Sequence, residues 1–222
     1  MGEIFKKNFN AELDMETITN PHRQKQLEEF LDREHPVMSR YYELLNRKIS
    51  PKQLKGEMAL LIKKDLDFYD PYLVLGDILT SEGKKKEANV FLAEAYERAV
   101  KRIVDKQGNF PKRLIWGWLD NRHLMRVIER WGLMLWEQGK APEALIIFRK
   151  LLQSNPGDNQ GVRFTILAIS LGLNPDYENR FSSKDMPGYV DGFKISAWFD
   201  QYSKKFPDEF GWWFKAMKKG DY

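Results

Sequence analysis

Apolar residues recur along most of this chain at the three- and four-residue spacing of an amphipathic helix, and short polar turns interrupt the pattern. The pattern is clearest in residues 125–158, where the small residues Gly132 and Ala144 alternate with larger ones such as Phe148. Two helices can approach closely where side chains are small, and large side chains must fill the remaining space. The segment therefore predicts two packed helices joined by a turn at Gly139.

The same pattern occurs elsewhere in the chain. Another good copy spans 69–102, with Gly76 and Ala88 at the positions of the two small residues, so 69–102 is the first good copy along the chain and 125–158 is the second. A degenerate copy spans 35–68 and lacks the two small residues. One further helix is predicted over 159–171, with Asp158 as its cap, after which the pattern ends. Each unit buries one face only by stacking on a neighbour, so we expect one continuous repeat array.

These copies resemble the tetratricopeptide repeat, whose period is about 34 residues. The residues that carry the resemblance in the clearest copy are Ile128, Trp131, Gly132, Leu135, Ala144, Phe148 and Pro156. The phrase NPGDNQGVRF at 155–164, preceded by WGWLDNR at 116–122, is similar to a subgroup in which a full repeat ends in NPxDNQGxR. The resemblance implies an all-α, tetratricopeptide-like α-solenoid of helix–turn–helix repeats. It also implies a role in protein–protein interaction and brings no catalytic residue.

The predicted organisation is one continuous domain with helical caps at both ends. We assign 1–34 to an N-terminal helical cap, 35–173 to the repeats and 174–222 to a C-terminal cap that is rich in aromatic residues. The two good copies lie 56 residues apart instead of 34, so an insert of 22 residues is expected near 103–124.

The composition limits the chemistry that the protein can carry. The sequence has 222 residues and no cysteine, which excludes a disulfide framework and any cysteine-based metal site. The start of the chain lacks the apolar core of a signal peptide, and no apolar run is long enough to span a bilayer, so we expect a cytoplasmic protein without membrane contact. The three histidines have no metal-ligand spacing and no nucleotide-binding motif is present. We therefore expect no catalytic residue, no metal and no cofactor; an enzyme with an unrecognised all-α site is the third alternative for the function.

The first helices of the repeats should line a concave groove that binds a peptide or a partner helix. The groove residues expected from the repeat pattern are Asp77, Arg126, Glu129, Trp136, Gln160 and Arg163. Arg126 and Arg163 would bind a carboxylate, and Trp136, half exposed, would be an apolar anchor. In the alternative interpretation, both arginines form ion pairs that hold adjacent helices together. The acids considered for these pairs are Asp120, Glu129 and Glu137.

The segment 101–130 combines positive charge with aromatic residues. It holds eight Lys or Arg against three acids, a balance of +5, and its aromatic residues are Phe110, Trp116 and Trp118. Such a segment could bind single-stranded nucleic acid through phosphate pairing and base stacking, which gives the second functional alternative. The favoured interpretation is that the tryptophans are core residues beside a solvated charged face, because helical repeats that read RNA use one repeat per base and this chain has too few.

The C-terminal segment predicts two helices, near 189–205 and 208–218, with more aromatic residues than one helix face can bury. These residues are Phe193, Trp198, Phe199, Tyr202, Phe206, Phe210, Trp212, Trp213 and Phe214. The favoured interpretation is that the rings pack onto the open end of the array as a cap. The alternative is an exposed patch for a partner or for self-association.

Overall fold

Nine α-helices make up most of residues 29–220, the part of the chain that this computed structural model describes. They are α1 (Met38–Leu45), α2 (Pro51–Lys64), α3 (Asp70–Ser81), α4 (Lys85–Ile103), α5 (Leu119–Glu137), α6 (Ala141–Ser154), α7 (Val162–Ser170), α8 (Gly192–Tyr202) and α9 (Pro207–Lys219). Two 3-10 helices, Tyr177–Phe181 and Ser203–Lys205, lie beside α8. The all-α prediction is confirmed for these residues, in which β structure is limited to two isolated bridges. None of the described helices combines the length and the apolar character that crossing a bilayer requires.

The ends of the helices follow from local chemistry. Ser50 and Gln53 form a capping box at the start of α2, and Pro51 occupies its first position, where the missing N–H costs no hydrogen bond. Asp158 was expected to cap the helix after the second good copy. Its carboxylate accepts hydrogen bonds from the backbone N–H groups of Val162 and Arg163, so it caps α7, which begins three residues later than predicted. The predicted N-terminal cap lies outside the described residues except for 29–34, which form no helix.

The turns between the paired helices have the same geometry in both good copies. Gly83 and Gly139 both have φ of 77°, a left-handed conformation that favours glycine. In each copy the following lysine N–H donates to a leucine carbonyl five residues earlier, at 2.8 Å for Lys84 and 2.9 Å for Lys140. The alignment of the two copies in the sequence therefore pairs two turns that have the same local backbone geometry.

Consecutive helices from α1 to α7 pack against one another, and α3 also contacts α5. Short connections between packed neighbours make successive helices run in opposite directions. Because α3 and α5 meet although α4 lies between them in sequence, the first helices of the two good copies are side by side. The core runs through all these layers and is largely aliphatic and aromatic.

The two good copies differ in how their helices pack. A methyl group built on Gly132 of α5 would lie 2.7 Å from the ring of Phe148 in α6, whereas one built on Gly76 of α3 meets no atom within 4 Å. Gly132 therefore permits a close approach of two helices, as expected from its position, and Ala144 beside it is fully buried. The equivalent contact is absent at Gly76, where the matching residue of α4 is Leu92.

The predicted insert is partly helical. α4 extends to Ile103 and α5 begins at Leu119, so the irregular part covers 104–118, and the rest of the predicted 103–124 segment lengthens α5. The loop is attached to the repeat that follows, since the backbone N–H of Leu114 donates to the carbonyl of Ser154 at 2.8 Å. Leu114 is fully buried, which makes this loop part of the core.

The C-terminal helices pack against α7 and the turn before it. Phe199 of α8 contacts the rings of Phe164, Phe210 and Trp213, and the indole N–H of Trp213 donates to the carbonyl of Pro156 at 2.8 Å. Five more of the aromatic residues pack partly buried against the core: Trp198, Tyr202, Phe206, Trp212 and Phe214. These contacts favour the cap interpretation for all but one of the nine rings.

The exception is Phe193, which is 92% exposed. Met186, Tyr189 and Val190 are also exposed apolar residues in the segment that leads to it. The alternative of a self-association surface is therefore restricted to this short segment.

The contrast between the two glycines gives a stability prediction. Gly132→Ala should lower the free energy of unfolding by about 1 to 3 kcal/mol, because the added methyl group would force the fully buried ring of Phe148 to shift. Gly76→Ala, at the matching position, should be neutral or stabilising by up to about 1 kcal/mol, since alanine favours the helix. Urea denaturation of both variants measures the difference. Equal effects would show that the close approach at Gly132 is not present in solution.

Candidate functional site

The expected groove residues lie on α3, on α5 and at or just before the start of α7, but few of them are free to bind a partner. The guanidinium of Arg126 donates two hydrogen bonds to the carboxylate of Asp70 on α3, the longer of them 2.8 Å. Asp77 of α3 forms an ion pair with Arg130 of α5, and both side chains are largely exposed. The arginines of α5 therefore join it to α3. This agrees with the alternative in which ion pairs hold adjacent helices together, although Arg126 uses Asp70 instead of the acids considered from the sequence.

Arg163 lies away from the groove. Its side chain binds the carboxylate of Asp158 at 2.7 Å, and its guanidinium lies 4.0 Å from the centre of the Phe164 ring, with Phe199 and Trp213 also close. The arginine thus joins α7 to the aromatic cap through an ion pair and cation–π contacts.

Trp136 is not the half-exposed anchor that was expected. It is 5% exposed and packs against Tyr177, with ring centres 5.8 Å apart. Trp136 is covered by the 3-10 helix Tyr177–Phe181, which the repeat pattern did not predict. The expectation of exposure was therefore wrong, and Trp136 belongs to the core.

Glu129 of α5 contacts Gln160 in the turn before α7, and the Gln160 amide donates to the Glu129 carboxyl group. Burial raises the pKa of Glu129 to about 8, and the nearby Asp158 and Glu178 act in the same direction. The hydrogen bond from Gln160 and the charge of Arg126 lower it by less. Glu129 is therefore mostly protonated and neutral at pH 7.

A cleft beside Gly76 remains open between α3, α4 and α5, and we call it the Gly76 cleft. Its volume is about 160 Å³. Its apolar lining residues are buried or partly buried: Tyr72, Leu73, Gly76, Ala88, Leu92 and Met134. Its polar lining residues, all exposed except the partly buried Asn89, are Asp77, Thr80, Lys85, Asn89, Arg130 and Glu137. Asp77 is thus the one expected groove residue that lines this cleft.

The sequence could have indicated the Gly76 cleft. Two positions that hold large rings in the second good copy, Trp136 and Phe148, hold Thr80 and Leu92 in the first. Smaller side chains at matching positions leave space unless neighbouring residues fill it. A comparison of the copies by side-chain volume, instead of by pattern alone, would have pointed to this place.

A second cluster was not predicted at all. Asp32, His35 and His123 are fully buried at the side chain, and each imidazole Nε2 faces the same Asp32 oxygen, at 3.2 Å for His35 and 3.1 Å for His123. Arg102 of α4 donates to the other Asp32 oxygen at 2.6 Å. The residues come from chain positions up to 91 apart, so no local spacing in the sequence could reveal the cluster.

The hydrogen bonds of the cluster determine where its protons lie. The backbone N–H of Tyr69 donates to His123 Nδ1 at 3.2 Å, so His123 carries its proton on Nε2 and donates it to Asp32. Burial lowers the pKa of His123, and the ring is neutral. Burial has the same effect on His35, but hydrogen bonds to Asp32 and Asp65 outweigh it, raise its pKa and favour the imidazolium.

The carboxylate of Asp32 stays ionised inside the protein. Burial alone would raise its pKa, but hydrogen bonds from His123, His35 and Arg102 outweigh that effect and hold the pKa well below its usual range. The backbone N–H of Asp32 also donates to Asn121 at 2.9 Å. The cluster therefore contains an anion whose hydrogen-bond acceptors are satisfied.

These three side chains have the residue types of a metal site, and their donor atoms lie within 4.8 Å of one another. A metal at Nε2 of His123 would require the proton on Nδ1, which faces the N–H of Tyr69 and would place two donors against each other. The side chains of Asp32, His35 and His123 are also 0% exposed, so no substrate reaches them. The donor set fits a structural hydrogen-bond network better than a metal or a catalytic centre.

The basic segment 101–130 is largely engaged in internal contacts. Arg102, Arg126 and Arg130 form ion pairs with aspartates, and Arg122 lies over the ring of Trp116, 5.2 Å from its centre. Trp118 is 47% exposed, and its indole N–H donates to Glu29. These contacts favour the interpretation of the segment as structure over a nucleic-acid surface.

Comparison with models of protein families, with curated proteins and with solved structures finds no match for this chain.

The buried cluster leads to a stability prediction with an internal control. Asp32→Asn should lower the free energy of unfolding by about 3 to 5 kcal/mol at pH 7, because it leaves Arg102 and the His35 imidazolium without their buried anion. Asp67→Asn removes a carboxylate that contacts the same Arg102 at the surface, at 3.6 Å, and should cost less than about 1 kcal/mol. Chemical denaturation compares the two, and similar losses would contradict the proposed importance of burial.

Glu129 gives a prediction for pH dependence. A carboxyl group whose pKa is raised by folding binds more protons in the folded chain, so its contribution to stability decreases as the pH rises from about 4.5 to about 8. Glu129→Gln removes this titration and should stabilise the protein by about 4 kcal/mol at pH 8, with little effect at pH 4.5. Thermal denaturation across this range tests it. Glu137→Gln, at an exposed position of the same helix, is the control; equal pH profiles for the two variants would refute the assignment.

Proposed function

We propose that this protein is a tetratricopeptide-like α-solenoid that acts as a protein–protein interaction scaffold and is not an enzyme. Support for the architecture comes from the recurring helix pair, the shared turn geometry at Gly83 and Gly139, and the side-by-side placement of α3 and α5. The resemblance of the sequence to tetratricopeptide repeats points in the same direction.

The proposed binding surface is the face of α3 and α5 around the Gly76 cleft, and the proposed ligand is a peptide or helix of a partner protein. The observation that carries the proposal is the cleft itself, a concave space with an apolar lining and exposed charged residues of both signs. Partner segments commonly bind in such grooves through a few buried anchors surrounded by polar contacts. Arg126, Trp136 and Arg163 are largely covered by other residues, so the proposed binding residues become Asp77, Arg130 and Glu137, which are exposed at the edge of the cleft.

Site-specific photo-crosslinking tests the location of the binding surface. A benzophenone amino acid at position 137, which borders the cleft, should form covalent adducts with a partner polypeptide in the native cell. The same group at position 97 replaces an exposed glutamate of α4 that does not line the cleft, and should give at least about tenfold less adduct. Equal adducts at both positions, or none at position 137, would overturn the proposed function.

A further inference from the structure

The Gly76 cleft is an empty counterpart of a space that the second good copy fills with its own side chains. The two copies align with Gly76 on Gly132, Ala88 on Ala144 and Leu92 on Phe148, and their turns have matching geometry. At Gly132 the ring of Phe148 occupies the space over the glycine, as close as contact allows. At Gly76 no atom lies within 4 Å of the equivalent point.

A second ring is missing at another matching position of the first copy. Trp136 and Thr80 occupy matching positions, at the ends of α5 and α3. Trp136 is buried under Tyr177, whereas Thr80 is exposed at the cleft. The second copy therefore contains aromatic rings at two positions where the first contains a leucine and a threonine.

The volume of the cleft is consistent with a missing aromatic ring. Its volume of about 160 Å³ is close to that of an engineered apolar cavity of about 150 Å³ that binds benzene. The walls are suited to a ring, since Leu73, Leu92 and Met134 are apolar and Gly76 presents no side chain. An aromatic side chain is thus the group that matches the shape and the chemistry of the cleft.

We propose that the Gly76 cleft binds one aromatic side chain of the partner segment, in place of the rings that Phe148 and Trp136 supply in the second copy. The proposal rests on the proposed function for the identity of the ligand as a peptide. The affinity of the cleft for a ring does not depend on it, because a small aromatic molecule can enter without a partner.

The first experiment uses N-acetyl-phenylalanine amide as the probe and N-acetyl-alanine amide as its control. Methyl NMR of the full chain should show saturable shifts at Leu73, Leu92 and Met134 with the phenylalanine probe and none with the alanine probe. Absence of saturable shifts at these three methyl-bearing residues would overturn the proposal.

Two variants install the missing rings. Leu92→Phe should weaken binding of the phenylalanine probe at least about tenfold and raise the melting temperature, because it fills an empty space. Thr80→Trp changes an exposed residue, so folding should survive, and it should also reduce binding at least about tenfold. Leu60→Phe makes the same change at an exposed position of α2 and should leave binding unchanged. Unchanged binding in both cleft variants would contradict the proposal.

The reciprocal variant tests the comparison between the copies. Phe148→Leu removes the ring over Gly132 and should create a second probe site, detected as new saturable shifts at Leu135 of α5 and Leu151 of α6. A loss of probe binding at the original cleft in this variant would contradict the independence of the two sites.

A peptide library separates this inference from the proposed function. Peptides selected on the wild-type chain should share one aromatic residue and bind Leu92→Phe at least about tenfold more weakly. Selected peptides without a shared aromatic residue would overturn the inference and leave the scaffold function intact. If the probe binds and no peptide is selected, the scaffold function is refuted, and so is the assignment of the ligand to a peptide. The affinity of the cleft for an aromatic ring is then still supported.

Discussion

The buried carboxylate of Asp32 is the constraint on which much of the structure depends. A charge in an apolar interior is strongly unfavourable unless hydrogen bonds and opposite charges surround it. Its partners come from distant parts of the chain: Arg102 ends α4, His123 lies in the first turns of α5, and His35 precedes α1. The positions of these elements are therefore coupled, because displacing any of them removes a hydrogen bond or an opposite charge from the buried anion.

The same network explains why the irregular loop between α4 and α5 can belong to the core. Asn121 accepts a hydrogen bond from the backbone of Asp32 and donates to the carbonyls of Phe30 and Ile115. The extended start of the described chain and the loop 104–118 are thus held against the beginning of α5. A repeat array with a long insert would otherwise leave backbone polar groups of the loop unsatisfied. Here the insert supplies part of the support for the helices on both sides of it.

The sequence predicts features that depend on local spacing and fails where distant residues determine the result. The turn at Gly139, the close approach at Gly132 and the capping role of Asp158 all follow from residues near one another in the chain. The burial of Trp136 depends on the 3-10 segment Tyr177–Phe181, which the repeat pattern does not contain, and the position of Arg163 depends on the aromatic cap. The Asp32 cluster joins residues about ninety positions apart, so no motif could have indicated it.

A difference between similar repeats is a simple way for a scaffold to acquire a binding site. Identical repeats fill identical spaces, so an array of perfect copies would have a uniform core with no cavity at one particular position. In this chain the backbone of the two good copies is closely similar at their turns, while the side chains at two matching positions differ greatly in volume, Thr80 against Trp136 and Leu92 against Phe148. The well-packed copy is joined to α3 by the ion pairs of Arg126 and Arg130, whereas the underfilled copy leaves space. A wall that is held in place loses little conformational entropy when a side chain enters, which favours the binding proposed above for the underfilled copy.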